Sequence, residues 1–224
     1  MALASGGAMT PASAPSGAEG VEGEKAALLL IDVINSFDFE GCEGLVRAAE
    51  QAAPKITALR ERCRQCATPI IYVNDNFGRW RSDFQATVAL CSQPEQPGSG
   101  VTRALVPGKD DYFILKPRHS AFFCTALELL LQQLKVKRLV LVGFATNICV
   151  LYTANDAHMR GYEVAVPRDC TASNSPDLTE RALAQMELVS CADTRQSSLL
   201  DLSGEWRNTH AASARGPLSE PRAE

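Results

Sequence analysis

Short apolar runs alternate with longer amphipathic runs along most of this chain, and this alternation restricts the fold more than any other feature. Buried parallel strands are nearly all apolar, as residues 28–31 and 139–142 are. The amphipathic runs have the residue spacing of helices that cover a sheet. The pattern therefore predicts an α/β fold with three α/β/α layers: an open, mainly parallel, Rossmann-like sheet of about six strands with helices on both faces.

The strand-like runs are residues 26–31, 69–73, 111–116, 137–142, 162–166 and 188–191, and the helix-like runs are 43–67, 121–135, 148–160 and 177–187. Residues 75–110, between the second and third strands, are irregular, with a short helix predicted around 83–91. A long irregular segment at the strand ends often shapes a substrate pocket, and we expect the same here.

The chain is long enough, at 224 residues, for one domain with its own core. Residues 1–22 are rich in Gly, Ala, Ser and Pro and are predicted to form a disordered arm. Residues 203–224 are polar and are predicted to form a disordered tail. A single folded domain is expected over residues 23–202.

Charge and cysteine usage narrow the class of protein further. The net charge is −4 with mixed signs throughout, which argues against a nucleic-acid or membrane partner. The N-terminus lacks the basic start and apolar stretch of a signal peptide, so the eight cysteines are expected to be reduced thiols in a cytoplasm. Cys63 and Cys66 form a lone CxxC without a second pair or nearby His, which favours packing or surface cysteines over a zinc site.

Three polar residues stand at the ends of strand-like runs. Asp32 follows residues 27–31, Lys116 follows residues 112–115, and Cys149 opens a helix-like run. In an open parallel sheet the carboxyl ends of the strands converge on one crevice, so an acid, an amine and a thiol would meet there. The start of a helix also favours a thiolate. Taken singly, each residue has a simpler interpretation. Cys149 would be a packing residue, Asp32 would cap the next turn, and Lys116 would be an ordinary exposed lysine.

With their flanks, these residues resemble the isochorismatase-like cysteine hydrolases. The similar segments, in chain order, are LLLIDVINSF (28–37), IIYVNDNFGRW (70–80), ILKPRHSAF (114–122) and GFATNICVLYTANDAHMRGYEV (143–164). The resemblance extends from about Ala27 to Asp193. Four segments in the right order make it specific.

The resemblance implies a role for each residue. Cys149 would be the nucleophile, Asp32 the general acid and base, and Lys116 the cation that stabilises carboxylate and thiolate. Backbone N–H groups of Ala145 and Cys149 would form the oxyanion hole, and the peptide bond between Phe144 and Ala145 would be cis. Relatives commonly self-assemble, so a homo-oligomer is also implied.

No metal or other cofactor is expected. Nicotinamidases of this type carry Asp-x-His and a further His between the first and third strands, whereas this chain has Asn74-Asp75-Asn76-Phe77 and no His before His119. The three histidines, at 119, 158 and 210, fit no ligand pattern, and His119 is interpreted as a structural hydrogen-bonding residue. The glycine-rich fingerprint of nicotinamide and flavin sites, the phosphate-binding loop and the Gly-x-Ser-x-Gly motif do not occur.

The substrate pocket is predicted from residues that flank the catalytic segments. Its predicted walls are Phe37, Asn76, Trp80 and Tyr152. The arginines that could bind a substrate carboxylate are Arg79, Arg81 and Arg118, with surface ion pairs as the equal alternative for each. Asn74 and Asp75 are alternatively interpreted as a turn at the strand end.

Three functions are compatible with these residues. The leading hypothesis is a metal-independent cysteine hydrolase that cleaves a C–N bond of a small amide, ureido or carbamoyl compound through a Cys149 thioester. The second is an isochorismatase-type vinyl ether hydrolase, in which Asp32 donates a proton and no covalent intermediate forms. The third is a non-catalytic homologue that binds a small molecule, which the presence of all three polar residues disfavours.

Overall fold

Six strands form one parallel sheet in the computed structural model, which describes residues 25–81 and 83–202. The arm predicted at 1–22 and the tail predicted at 203–224 lie outside the described residues. The strands are β1 (Lys25–Ile31), β2 (Ile70–Asp75), β3 (Tyr112–Lys116), β4 (Val136–Phe144), β5 (Glu163–Ala165) and β6 (Thr171–Ala172). The α-helices are α1 (Glu43–Gln65), α2 (Phe84–Cys91), α3 (Ser99–Ala104), α4 (Leu127–Gln133), α5 (Leu151–Met159) and α6 (Pro176–Ser190).

The strand order is β3-β2-β1-β4-β5, and β6 extends the sheet by pairing with the end of β4. Leu28 of the central strand β1 lies beside Ile70 on one side and beside Val140 on the other. Each of these strand pairs is parallel, so their carboxyl ends share one edge. The predicted fold class is confirmed.

Helices cover both faces of the sheet because successive strand residues point to opposite sides. Leu28 and Leu30 belong to the core that α1 covers, whereas Leu29 and Ile31 belong to the core on the other face. The second core is completed by buried residues of α4, α5 and α6, among them Leu131, Ala154 and Met186. Full burial of each such Leu or Ile side chain contributes about 1.5–3 kcal/mol, which fixes β1 in the middle of the molecule.

The strand predicted at 188–191 is wrong. Helix α6 continues to Ser190, and Cys191 ends it in a left-handed conformation with φ 51°. Met186 and Ser190 are buried while Leu188 is 79% exposed, which is the four-residue period of a helix. The sixth strand is instead the two-residue β6, which is too short to leave a hydrophobic pattern.

The helix predicted at 121–135 is shorter, because α4 begins only at Leu127. The Ala121 N–H donates to Thr153 Oγ1 at 3.0 Å, and Cys124 has a left-handed φ of 53°. These features turn the chain before α4. They also tie the segment that follows β3 to helix α5.

The irregular segment between β2 and β3 contains the predicted short helix, α2, and the further helix α3. Asp83 caps α2 by accepting the Ala86 N–H at 2.7 Å. Gly98 lies so close to the segment after β1 that a Cβ there would be 2.2 Å from Asn35 O. Arg60 of α1 donates to Tyr72 Oη at 2.7 Å and to Val106 O at 3.1 Å, which fixes the end of the segment.

Within residues 25–81 and 83–202, no helix has both the length and the apolar character required to cross a bilayer.

Candidate active site

Asp32 is held at the end of β1 by its own backbone and by the neighbouring strand. It has a left-handed φ of 51°, and its N–H donates to Val73 O at 2.9 Å. Its Oδ1 accepts the Asp75 N–H at 2.6 Å. Aspartate adopts left-handed backbone geometry more readily than most residues. It is therefore suited to this position, where the chain turns away from the direction of β1.

Lys116 is the last residue of β3, and its side chain is completely buried. Its Nζ lies 2.9 Å from Asp32 Oδ2 and 3.4 Å from Cys149 Sγ. The structure therefore brings together the three polar residues that the sequence places at separate strand ends. The parallel sheet does this by gathering the ends of β1, β3 and β4 at one edge.

Cys149 is positioned by the turn that follows β4. The chain passes close to β1 at Gly143, where φ is 116° and a Cβ would be 2.0 Å from Ile31 O. The peptide bond between Phe144 and Ala145 is cis, and a π-helical turn, Thr146–Val150, precedes α5. Such single π turns are frequent at functional sites.

The same turn presents a backbone donor next to the thiol. Ala145 O accepts from the Ile148 and Val150 N–H groups, which fixes the Ala145 peptide at the start of this turn. Backbone N–H groups at the start of a helix attract negative charge. This geometry can serve an oxyanion, as the resemblance implies.

Burial determines the resting charge of the thiol. Burial first, and then the negative charge of Asp32, raise the pKa of Cys149 to about 12, and the Lys116 ammonium offsets only part of this rise. The resting thiol is therefore neutral at neutral pH. Burial and the Asp32 charge thus oppose the thiolate that a place near a helix start favours.

The two charged partners of the thiol also have shifted pKa values. Burial raises the pKa of Asp32, and the Lys116 ammonium opposes this rise. Burial lowers the pKa of Lys116, but the negative charge of Asp32, supported by that of Asp75, outweighs the effect of burial and leaves that pKa above its usual value. An aspartate with a raised pKa next to a neutral thiol is a suitable proton acceptor for it.

Asp75 also belongs to this cluster. Its Oδ2 lies 3.5 Å from Lys116 Nζ, and its Oδ1 accepts the Phe77 N–H at 2.7 Å. The interpretation as a turn at the strand end thus fits Asp75, but Asn74 lies buried within β2, where its Nδ2 donates to Ile34 O at 2.6 Å. The position of Asp75 at the end of an apolar strand, like that of Asp32, was a signal that could have identified it.

The predicted pocket residues occupy different environments. Asn76 is half-buried and its Oδ1 accepts the Gly78 N–H at 2.9 Å, whereas Trp80 is 78% exposed. Arg118 is exposed, and the exposed ring of Tyr152 lies 5.4 Å from the His119 ring. Phe37 has no exposed surface and packs against Phe144, with ring centroids 6.0 Å apart. A contact between any of them and a substrate stays a prediction.

An open cavity of about 580 Å³ lies beside the segment that follows β2. Its lining residues are Gly78, Arg79, Trp80, Arg81, Asp83 and Ala86. The cavity includes two of the three arginines predicted for carboxylate binding and the exposed Trp80. Asp32, Lys116 and Cys149 are outside this lining.

Metal ligands are not clustered in the described part of the chain: no group of three or more His, Cys, Asp or Glu side chains could hold an ion. His158 is exposed on α5, and His210 lies outside the described residues. Cys63 is buried and Cys66 is exposed, both as free thiols.

Comparison with known proteins identifies the family. A family model for the isochorismatase domain matches residues 26–196. The isochorismatase family protein YaaI of Bacillus subtilis is 44% identical over 167 residues, which are 75% of this chain and 91% of the relative. Maleamate amidohydrolase of Pseudomonas putida is 29% identical over 177 residues, which are 74% of this chain and 80% of the relative.

Solved structures agree with these matches. The N-carbamoylsarcosine amidase from Thermoplasma acidophilum has a TM-score of 0.61 and 25% identity, and the match covers 79% of this chain and 99% of that one. Fold, sequence and domain match therefore agree in one conclusion: the chain belongs to the isochorismatase family and is a hydrolase.

Proposed function

We propose that this protein is a metal-independent cysteine hydrolase that cleaves the C–N bond of a small amide, ureido or carbamoyl compound. The observation that carries the proposal is the contact of Lys116 Nζ with both Asp32 Oδ2, at 2.9 Å, and Cys149 Sγ, at 3.4 Å. A nucleophile, a base and a fixed cation within contact distance are the groups that acyl transfer requires.

In the first half of the proposed reaction, Cys149 becomes acylated. Asp32 accepts the thiol proton as Sγ attacks the substrate carbonyl carbon, and the Ala145 and Cys149 N–H groups stabilise the oxyanion. Asp32 then gives this proton to the leaving nitrogen, the C–N bond breaks, and an amine or ammonia leaves. A thioester on Cys149 remains.

In the second half, water releases the acyl group. Asp32 accepts a proton from the attacking water, and the tetrahedral intermediate expels the Cys149 sulfur. The proton on Asp32 returns to that sulfur, which restores the neutral thiol and leaves a carboxylic acid as product, or a carbamic acid where the transferred group is a carbamoyl. Lys116 stays protonated throughout and stabilises whichever of its two partners is negative.

The substrate class is supported by two relatives named for such reactions, maleamate amidohydrolase and N-carbamoylsarcosine amidase. Arg79 and Arg81, which line the open cavity beside β2, are suited to a substrate carboxylate. Trp80, between them, offers an apolar surface for the rest of a small molecule. Because Asp32, Lys116 and Cys149 lie outside the lining of this cavity, small amides with a carboxylate and those without one are both candidate substrates.

The proposal is tested with a panel of small amides, ureas and carbamates, scored by release of ammonia or amine. Wild-type protein is expected to hydrolyse at least one compound, and Cys149→Ala to reduce turnover by about 10³-fold or more. Cys66→Ser, which removes an exposed thiol at the end of α1, is the matched control and should keep wild-type turnover. Full activity of Cys149→Ala on such an amide would overturn the mechanism.

The raised pKa of Asp32 favours a second candidate, proton donation to a vinyl ether without a thioester. In that case isochorismate would be hydrolysed equally well by wild type and Cys149→Ala. Asp32→Asn would abolish the turnover.

A further inference from the structure

The Lys116 ammonium has a contact for each of its three N–H donors. Two are Asp32 Oδ2 and Cys149 Sγ, and the third is Asp75 Oδ2 at 3.5 Å. Among the described residues these are the charged or titratable groups that contact this ammonium. Asp32, Lys116 and Cys149 therefore do not account for all of the charge in the site. The Asp75 carboxylate also contacts the buried Lys116 ammonium.

The sheet itself enforces this contact. Asp75 and Lys116 are directly paired in the register of β2 and β3, and the Asn76 N–H donates to Lys116 O at 3.1 Å. Paired residues on neighbouring strands lie about 4.8 Å apart, so opposite charges at this pair meet without any loop rearrangement. The contact belongs to the body of the sheet.

Asp75 also positions the base directly. Its backbone N–H donates to Asp32 Oδ1 at 2.6 Å, while Lys116 holds the other oxygen, Oδ2, at 2.9 Å. Both oxygens of Asp32 are thus held by the pair that β2 and β3 contribute. Asp75 is partly exposed, with 32% of its side chain accessible, so it bridges the buried cluster and the crevice.

We propose that Asp75 is a fourth, positioning member of this site, which fixes the Lys116 ammonium between Asp32 and Cys149 and keeps the resting thiol protonated. With Lys116 positive, Asp32 and Asp75 negative and Cys149 neutral, the cluster has one excess negative charge, and a thiolate would add another. Removal of the Asp75 charge therefore favours the thiolate. Any effect of Asp75 on turnover rests on the proposed function, whereas its effect on the protonation of the Cys149 thiol does not.

The test is the alkylation rate of Cys149 by iodoacetamide, measured without substrate by peptide-resolved mass spectrometry. Asp75→Asn removes the charge but retains an oxygen that can accept the Phe77 N–H. It is expected to raise the Cys149 rate near neutral pH by about threefold to tenfold, since a fall of one pKa unit gives tenfold more thiolate. Asp75→Glu keeps the charge and is expected to stay within about twofold of wild type.

Glu163→Gln is the matched control, because Glu163 is a carboxylate paired with Arg138 at 2.8 Å at the opposite end of the sheet. It should leave the Cys149 rate unchanged. Labelling of the buried Cys63 and Cys170 reports any unfolding, in which case Asp75→Ser, which retains a hydroxyl acceptor, replaces Asp75→Asn. An equal or lower Cys149 rate in the folded, uncharged variant would overturn the proposal, whatever the result of the amide panel.

Discussion

Lys116 is the residue on which the electrostatics of the cluster depend. Its side chain has no exposed surface and it contacts two carboxylates and a thiol. A buried charge of this kind is tolerated only when its partners are present, and the same holds for Asp32. The lysine therefore has a structural role in addition to any role in the reaction.

Replacement of Lys116 by Met should leave Asp32 buried without its counterion and lower the free energy of unfolding by about 3–5 kcal/mol. The pKa of Asp32, already raised by burial, would rise further. The folded variant would then bind a proton that the unfolded chain has released, so its stability should fall as the pH rises from about 5 to 8. Urea unfolding at both ends of this range measures the effect.

Lys109→Met is the control for this prediction, because Lys109 is exposed in the loop before β3. It should unfold at the wild-type urea concentration at both pH values. If Lys116→Met also did so, the buried pair would have no role in stability.

At the scale of single residues, two features could not be predicted from the sequence: the pairing of Asp75 with Lys116 and the protonation state of Cys149. Asp75 and Lys116 are paired only because β2 and β3 adopt one particular register, which the apolar pattern of the strands does not specify. The protonation of Cys149 depends on how deeply the thiol is buried. By contrast, the meeting of Asp32, Lys116 and Cys149 was predicted, because parallel strands end at one edge and because the segments that carry these residues resemble the isochorismatase-like cysteine hydrolases.

At the scale of elements, the close approach of β4 to β1 determines where the Cys149 turn lies. Gly143 permits it, because the position combines a φ of 116° with contact distances to Ile31 that exclude a side chain. Long apolar strands such as β1 and β4 were predictable from their composition. The short β6 and the end of α6 were not, because tertiary pairing decides them and local pattern does not.

Gly143→Ala should therefore lower the free energy of unfolding by about 3 kcal/mol or more, or prevent folding, since the added Cβ meets backbone atoms that cannot move aside. Gly100→Ala is the matched control: it lies within α3, and its added Cβ meets no atom within 4 Å. It should be neutral or stabilising by up to about 1 kcal/mol. Equal urea midpoints for the two variants would contradict this account of the strand approach.

At the scale of the whole molecule, the fold leaves several large apolar side chains exposed, among them Tyr152 of α5 and Phe123 in the turn before α4. Tyr152 is 54% exposed and Phe123 is 52% exposed, and both follow segments that carry the proposed catalytic residues. Exposed aromatic side chains are enriched at protein interfaces. They are consistent with the homo-oligomer that the family resemblance implies, which stays a prediction.

Light scattering coupled to size-exclusion chromatography measures the oligomeric state directly. A mass that is an integer multiple of the monomer mass, constant over a tenfold dilution, is the expected result. A monomer mass at every concentration would show that the site functions, if at all, within one chain.

The central claim is that Cys149 becomes acylated with Asp32 as its base, and mass spectrometry of acid-quenched reactions tests it most directly. With a substrate from the amide panel, wild-type protein should carry an acyl adduct on the Cys149 peptide. Its mass should equal that of the substrate minus the leaving amine, and Asp32→Asn should show no adduct on the same timescale. Turnover of an amide with no adduct on Cys149, and with full activity in Cys149→Ala, would contradict the account.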